Sequence, residues 1–283
     1  MPLFGAHLSI AGGTDKAAER AREIGADCLQ LFVKSPSQWR FAALTDDEVG
    51  RFRDAVQKAH LAPLVGHASY LINLASPDNA LWEKSRRSVL EEWDRAARLG
   101  LDCLVLHPGA HMGSGAAAGL SRITAALDWL HDERPDCRVR ILLETTAGAG
   151  SALCSRFEDF RQIMEACRCG LRLGVCLDTC HLFAAGYDLR TAAAVDDTLG
   201  RFDAAVGLSR VAAVHANDCK GGLGSHLDRH EHIGRGELGR EAFRLLVHHP
   251  ALAALPFILE TPKEDPNGRA MDPVNLRVLR RLV

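Results

Sequence analysis

Eight short apolar runs, each followed by a longer segment of helical periodicity, divide this chain from end to end, and that alternation limits the folds open to it. The runs with strand character are Leu3–His7, Cys28–Val33, Pro63–His67, Cys103–His107, Val139–Glu144, Gly174–Asp178, Val211–His215 and Phe257–Glu260. Helical spacing predicts Asp15–Ile24, Asp46–His60, Leu81–Leu99, Leu120–Asp132, Phe157–Cys169, Thr191–Val206, Glu241–His248 and Pro273–Leu282. Such repetition makes successive strands parallel, with a helix crossing back over the sheet each time. Dividing 283 residues by eight gives about 35 per unit, one βα crossover, with no surplus for a second domain. The reading is an α/β fold, a single (β/α)8 TIM barrel over residues 1–283. A doubly wound open sheet is the alternative, but it carries a Gly-rich phosphate turn after its first strand. Ser9-Ile10-Ala11-Gly12-Gly13 lacks that pattern.

Composition narrows the function classes. No window approaches eighteen consecutive apolar residues, and Met1–His7 has neither a basic stretch nor a long apolar core, so no membrane span and no signal peptide are expected. Nine cysteines occur without any C-x-x-C pair, and a chain this long can bury a core without staples. Buried reduced thiols in a cytoplasmic protein are expected. Cys176 and Cys180 are read as core thiols. A net charge of −2 argues against a broad basic surface, so a polyanion site must be concentrated locally.

The residues that end strands three to eight are His67, His107, Glu144, Asp178, His215 and Glu260. In a closed parallel barrel these ends converge on one face. Unpaired carboxylates and imidazoles gathered there would be costly to bury, and cations are the simplest remedy. His181 in Asp178-Thr179-Cys180-His181, and Asp228 and His230 in the long loop after strand seven, bring the set to five His and four carboxylates. Imidazole with carboxylate and no thiolate favours zinc or another first-row dication over calcium or magnesium. Nine side chains exceed what one or two open sites use, and three metals fit. Three dications against four carboxylates leave the site near +2, which suits an anion such as a phosphodiester. His7 is read as either packing or support for a ligand, while His60, His131, His248 and His249 receive no role.

The segments Gly5-Ala6-His7-Leu8-Ser9, Leu106-His107-Pro108-Gly109, Leu143-Glu144-Thr145-Thr146-Ala147-Gly148, Leu177-Asp178-Thr179-Cys180-His181, His215-Ala216-Asn217-Asp218, Asp228-Arg229-His230-Glu231-His232-Ile233-Gly234 and Leu259-Glu260-Thr261-Pro262 resemble, in order and spacing, the endonuclease IV family of apurinic/apyrimidinic endonucleases. The similarity runs from about residue 3 to the C-terminus. The resemblance implies a (β/α)8 barrel with three Zn2+ ions per chain. It implies His67, His107 and Glu144 at one zinc, Glu144, Asp178, His215 and Glu260 at a second, and His181, Asp228 and His230 at a third. It implies hydrolysis of the phosphodiester 5′ to an abasic site in duplex DNA, leaving a 3′-hydroxyl, with trimming of blocked 3′ ends and Glu144 and Glu260 as catalytic carboxylates. Tyr70 and Leu71 are similar to the family's DNA-inserting pair and Gln38 to a minor-groove contact; apolar wedges of this kind unstack and kink a duplex. One departure stands out: where characterised members carry an arginine before the Gln-Trp of the strand-two loop, this chain has Ser37. Arg40, Lys220, Arg229, Arg235 and Arg269 are candidates to replace its charge, and Arg229 is taken as a DNA contact. A monomer is expected. The rival readings are a divalent-metal sugar isomerase or epimerase on the same barrel and a zinc-stabilised barrel that binds without cutting. An amidohydrolase is disfavoured because no H-x-H ends strand one.

Overall fold

The computed structural model describes residues 1–283. Eight parallel strands close into a barrel: β1 (Leu3–Leu8), β2 (Cys28–Phe32), β3 (Leu64–His67), β4 (Cys103–Leu106), β5 (Arg140–Glu144), β6 (Gly174–Asp178), β7 (Val211–His215) and β10 (Pro256–Leu259). Each pairs with its neighbours in chain order, and β10 closes the ring onto β1 through Leu3–Pro256 to Ala6–Leu259. The outer layer comprises α1 (Thr14–Glu23), α2 (Asp46–Ala59), α3 (Asn79–Leu99), α4 (Ala116–Glu133), α5 (Phe157–Ala166), α7 (Ala192–Ala205), α8 (Gly239–His248) and α9 (Asp272–Arg280). Caps set several starts: Thr45 and Glu48 form a reciprocal capping box at α2, and Asp78 accepts from Ala80 and Leu81 at α3.

Besides two short 3-10 turns, Gly170–Arg172 and Leu208–Arg210, three elements lay outside the sequence expectation. Helix α6 (Thr179–Ala184) starts directly at the end of β6, and β8 (Asp218–Cys219) pairs antiparallel with β9 (His230–Glu231) inside the long connection after β7. Helix α5 stops at Ala166 rather than Cys169, because Cys167 turns to an extended ψ of 132°.

Side chains of a strand alternate between the helix-facing and barrel-facing sides. On the inner side one buried apolar residue from each of seven strands, Cys28, Val65, Val105, Leu142, Cys176, Ala213 and Ile258, fills the barrel as a separate small core. The eighth strand supplies Gly5, where a Cβ would lie 2.1 Å from the Cys28 carbonyl oxygen. Two residues further along each strand direction, the same inward parity brings His7, Gln30, His67, His107, Glu144, Asp178, His215 and Glu260 to one level. The apolar plug thus forms the floor on which the polar ring stands.

Candidate active site

Glu144 lies at the centre of the ring, fully buried. Its Oε2 is 3.2 Å from His67 Nε2 and 3.3 Å from His107 Nε2. Its Oε1 is 2.9 Å from His215 Nδ1 and 3.4 Å from His181 Nδ1. Burial alone would raise the Glu144 carboxyl, but the His107 and His215 charges and bonds from His181 and His215 hold it well below the usual carboxylate range. Glu260 is held low in the same way, against its burial, by His215 and His7.

Around this centre the other predicted residues assemble. Glu260 Oε2 is 3.2 Å and Asp178 Oδ2 3.8 Å from His215 Nδ1. Asp228 Oδ1 is 3.2 Å from His181 Nε2 and 3.3 Å from His230 Nε2. All nine candidate ligands therefore meet at one end of the barrel. Asp178 performs two tasks: Oδ1 accepts from the His181 backbone N–H at 2.8 Å and caps α6, while Oδ2 faces the ring. That cap delivers His181 into the site one turn after the strand.

The donor set fits metal ions. Bonds of about 2.0–2.2 Å at tetrahedral angles put neighbouring N and O ligand atoms roughly 3.3 Å apart, the separation found for His67, His107 and Glu144 and for His181, Asp228 and His230. The buried Nε2 atoms of His181 and His230 have no hydrogen-bond partner, although Asp228 is near both. Two ligands directed at one cation show this misalignment. Most of the imidazoles also have their second nitrogen anchored, as ligating histidines do. His67 Nδ1 pairs with the Ala68 carbonyl at 2.7 Å, His181 Nδ1 with Thr145 at 2.8 Å, and His230 Nδ1 with Glu260 at 3.1 Å. Cys180 lies within reach of Asp228 and His230, but its bond with Cys219 and its burial push the thiol up, so it remains a protonated core group.

Supporting residues absent from the sequence reading complete the ring. Gln30, fully buried, accepts at Oε1 from His215 Nε2 at 2.8 Å and donates from Nε2 to Glu260 Oε1 at 2.6 Å. Asn217 donates to Asp178 Oδ2 at 2.7 Å and accepts from the Glu260 backbone N–H at 2.8 Å. His7 supports a ligand: its Nδ1 lies 3.0 Å from Glu260 Oε1, and burial lowers its pKa to about 4, so the ring is neutral near pH 7. A polar residue at the inward position of the apolar run Cys28–Phe32 was the available signal for Gln30. Asp218 holds the long loop that carries Asp228 and His230, accepting from the N–H groups of Cys219, Gly234 and Leu238 at 2.8–3.0 Å. A Cβ at Gly236 would meet the Cys219 carbonyl oxygen at 2.3 Å, so this close loop approach requires glycine.

Tyr70 is 69% exposed and rises from the loop after β3, edge-on to Phe32. It separates a hollow of about 300 Å³ holding Leu71, His107, His181 and Asp228 from one of about 410 Å³ holding His7, His230, Glu260 and Lys263. Gln38, Ser37, Arg40 and Arg229 are exposed, and Leu71 is half-buried. The Arg229 guanidinium bonds only the Asp228 carbonyl oxygen, at 3.2 Å.

A closed parallel barrel with a ring of imidazoles and carboxylates at its strand ends defines the class, and the xylose isomerase-like TIM barrel family model matches residues 18–282. Within that class, the chain is 47% identical over 283 residues to the probable endonuclease 4 of Chloroflexus aurantiacus, covering 100% of this chain and 99% of the relative. The crystal structure of endonuclease IV from Thermus thermophilus superposes with a TM-score of 0.87 at 39% identity, covering 99% of this chain and 98% of that one. The chain belongs to the endonuclease IV family. A D-tagatose 3-epimerase-like protein superposes at a TM-score of 0.73 with 17% identity, covering 99% and 96% of the two chains. That likeness extends to the barrel alone, so the isomerase alternative is a distant fold relative.

Proposed function

We infer that this protein is a zinc-dependent AP endonuclease of base-excision DNA repair. It hydrolyses the phosphodiester 5′ to an abasic site in duplex DNA, leaves a 3′-hydroxyl, and trims blocked 3′ ends. The observation that carries this reading is the set of nine ligand side chains at metal-ligand separations around Glu144. Three zinc ions are assigned: His67, His107 and Glu144 hold the first; Glu144, Asp178, His215 and Glu260 the second; His181, Asp228 and His230 the third. Zinc suits the mixed imidazole and carboxylate donors. When bound, the metals shield the phosphate charge and stabilise the departing oxygen.

The two carboxylates divide the remaining work. The Glu144 side chain is fully buried and each of its oxygens faces a different group of imidazoles, so it would be shared between the first and second metals. The Glu260 side chain is 16% exposed, with Oε1 bonded to His7 and Gln30 and Oε2 3.2 Å from His215 Nδ1, so at the rim of the bowl it would orient the attacking water and receive its proton beside the metal it holds. Tyr70 and Leu71 enter the duplex at the lesion, with Gln38 and Arg229 as further DNA contacts. The protein acts in the cytoplasm as a monomer of one barrel domain.

The deciding experiment pairs elemental analysis with cleavage of a duplex bearing one synthetic abasic analogue. About three zinc ions per chain and a single 5′-side nick are expected, and Glu260→Gln should lower kcat by a hundredfold or more while retaining the fold. Full activity in Glu260→Gln, or turnover of ketoses in place of nicking, would overturn the assignment.

A further inference from the structure

Outside the bowl, on the helical layer, two cysteines converge with a carboxylate. Helix α5 unwinds at Cys167, and the turn Cys167-Arg168-Cys169 folds back against α4. There one oxygen of Asp128 and both sulfurs lie within 4.8 Å of one another. We propose that Asp128, Cys167 and Cys169 form a peripheral site for a thiophilic divalent cation of the zinc class.

Several features favour a built site over two chance core thiols. Asp128 Oδ1 accepts from the backbone N–H groups of Arg168 at 2.9 Å and Cys169 at 3.4 Å, so the carboxylate shapes the turn that presents the sulfurs. Zinc–sulfur bonds of about 2.3 Å place two sulfurs roughly 3.8 Å apart, within the span of this cluster. Two thiolates and one carboxylate would carry three negative charges, and the one nearby cation, Arg168, is shared with Asp132 at 2.7 Å, so the cluster holds an excess of negative charge that a dication would offset.

Cobalt substitution separates this site from the bowl, whose assigned ligands include no thiolate. Full-length protein, stripped under reducing conditions and reloaded with Co2+, should show a near-ultraviolet thiolate-to-cobalt charge-transfer band. Cys167→Ser/Cys169→Ser should abolish the band and remove about one equivalent of metal per chain, with abasic-site incision unchanged. Asp128→Asn, which keeps the turn-shaping acceptor, should weaken metal at this site at least about tenfold in chelator competition. The band should persist in Cys180→Ala. A wild-type protein without the band, a band lost in Cys180→Ala, or a double serine variant with undiminished metal content would overturn the proposal. The wild-type and Cys180→Ala spectra decide it even if the double variant fails to fold.

Discussion

Lys34 Nζ lies 3.3 Å from Glu92 Oε1, and both side chains are buried, with 1% and 0% exposure. The pair ties together two loops at the mouth of the barrel. Lys34 also donates to the Gln38 carbonyl oxygen at 2.7 Å, in the loop after β2. Glu92 Oε2 accepts the Ser69 backbone N–H at 2.8 Å, and Ser69 Oγ donates to the Pro36 carbonyl oxygen at 2.6 Å. Gln38 and Tyr70 are thus positioned by one buried ion pair reaching in from α3.

Removing one partner of a buried pair leaves the other uncompensated, a cost of about 3–5 kcal/mol. Lys34→Met should destabilise by about that amount in urea denaturation, and Lys34→Met/Glu92→Leu should recover most of it. Both variants should show KM for an abasic duplex raised about tenfold, or ~1.4 kcal/mol, with kcat within about twofold. An unchanged KM would show that the loops hold their places without the pair.

Metal uptake should depend steeply on pH. Burial opposes charge on His181 and His215, but the carboxylates facing His181, and Cys176 with the carboxylates facing His215, raise both imidazoles well above their ordinary value. In metal-free protein they therefore hold protons at neutral pH, and metal binding must expel them. Apparent affinity should rise by tenfold or more from pH 6 to pH 8, read by chelator competition. Calorimetry in buffers of different ionisation enthalpy should show net proton release, and a pH-independent affinity would contradict the protonated resting state.

Asp218 connects a buried carboxylate to the loop bearing two ligands. Asp218→Ala strands the three backbone N–H groups that it accepts from, at about 1–3 kcal/mol for an unsatisfied buried group. Hydrogen exchange should speed up in residues 218–238, and about one metal equivalent should be lost. Retention of all metals would mean that His181 and Asp178 hold the third ion without the loop.

Ser37 is exposed beside Gln38, where a longer cation could reach a phosphate. Ser37→Arg should steepen the dependence of log Kd on log salt by about 0.9, the increment for one neutralised phosphate. Fluorescence anisotropy at several salt concentrations measures it, and an unchanged slope would assign that phosphate to Arg40 or Arg229.

The ring was legible because its chemistry coincides with strand ends. Six potential ligands terminating six successive apolar runs have a simple explanation in barrel convergence, and inward parity then places each one. Parity also marked Gln30, but an amide amid apolar neighbours offers no ligand chemistry and its partners are distant in sequence. Lys34 gave no signal, since lysine is seldom fully buried and its partner is 58 positions away on α3. Helix α6 is six residues long, too short for periodicity to appear, and the strands β8 and β9 have two residues each.

The contact between His7 and Glu260 joins the first barrel strand to the end of the last, 253 positions apart. A polypeptide leaving the ribosome would already display seven of the nine ligands once Asp228 had emerged, yet Glu144 would still lack Glu260 across the bowl and His230 the carbonyl that aims it. The two extremes of the chain thus share one carboxylate, so the geometry of the bowl is only as good as the closure of the barrel.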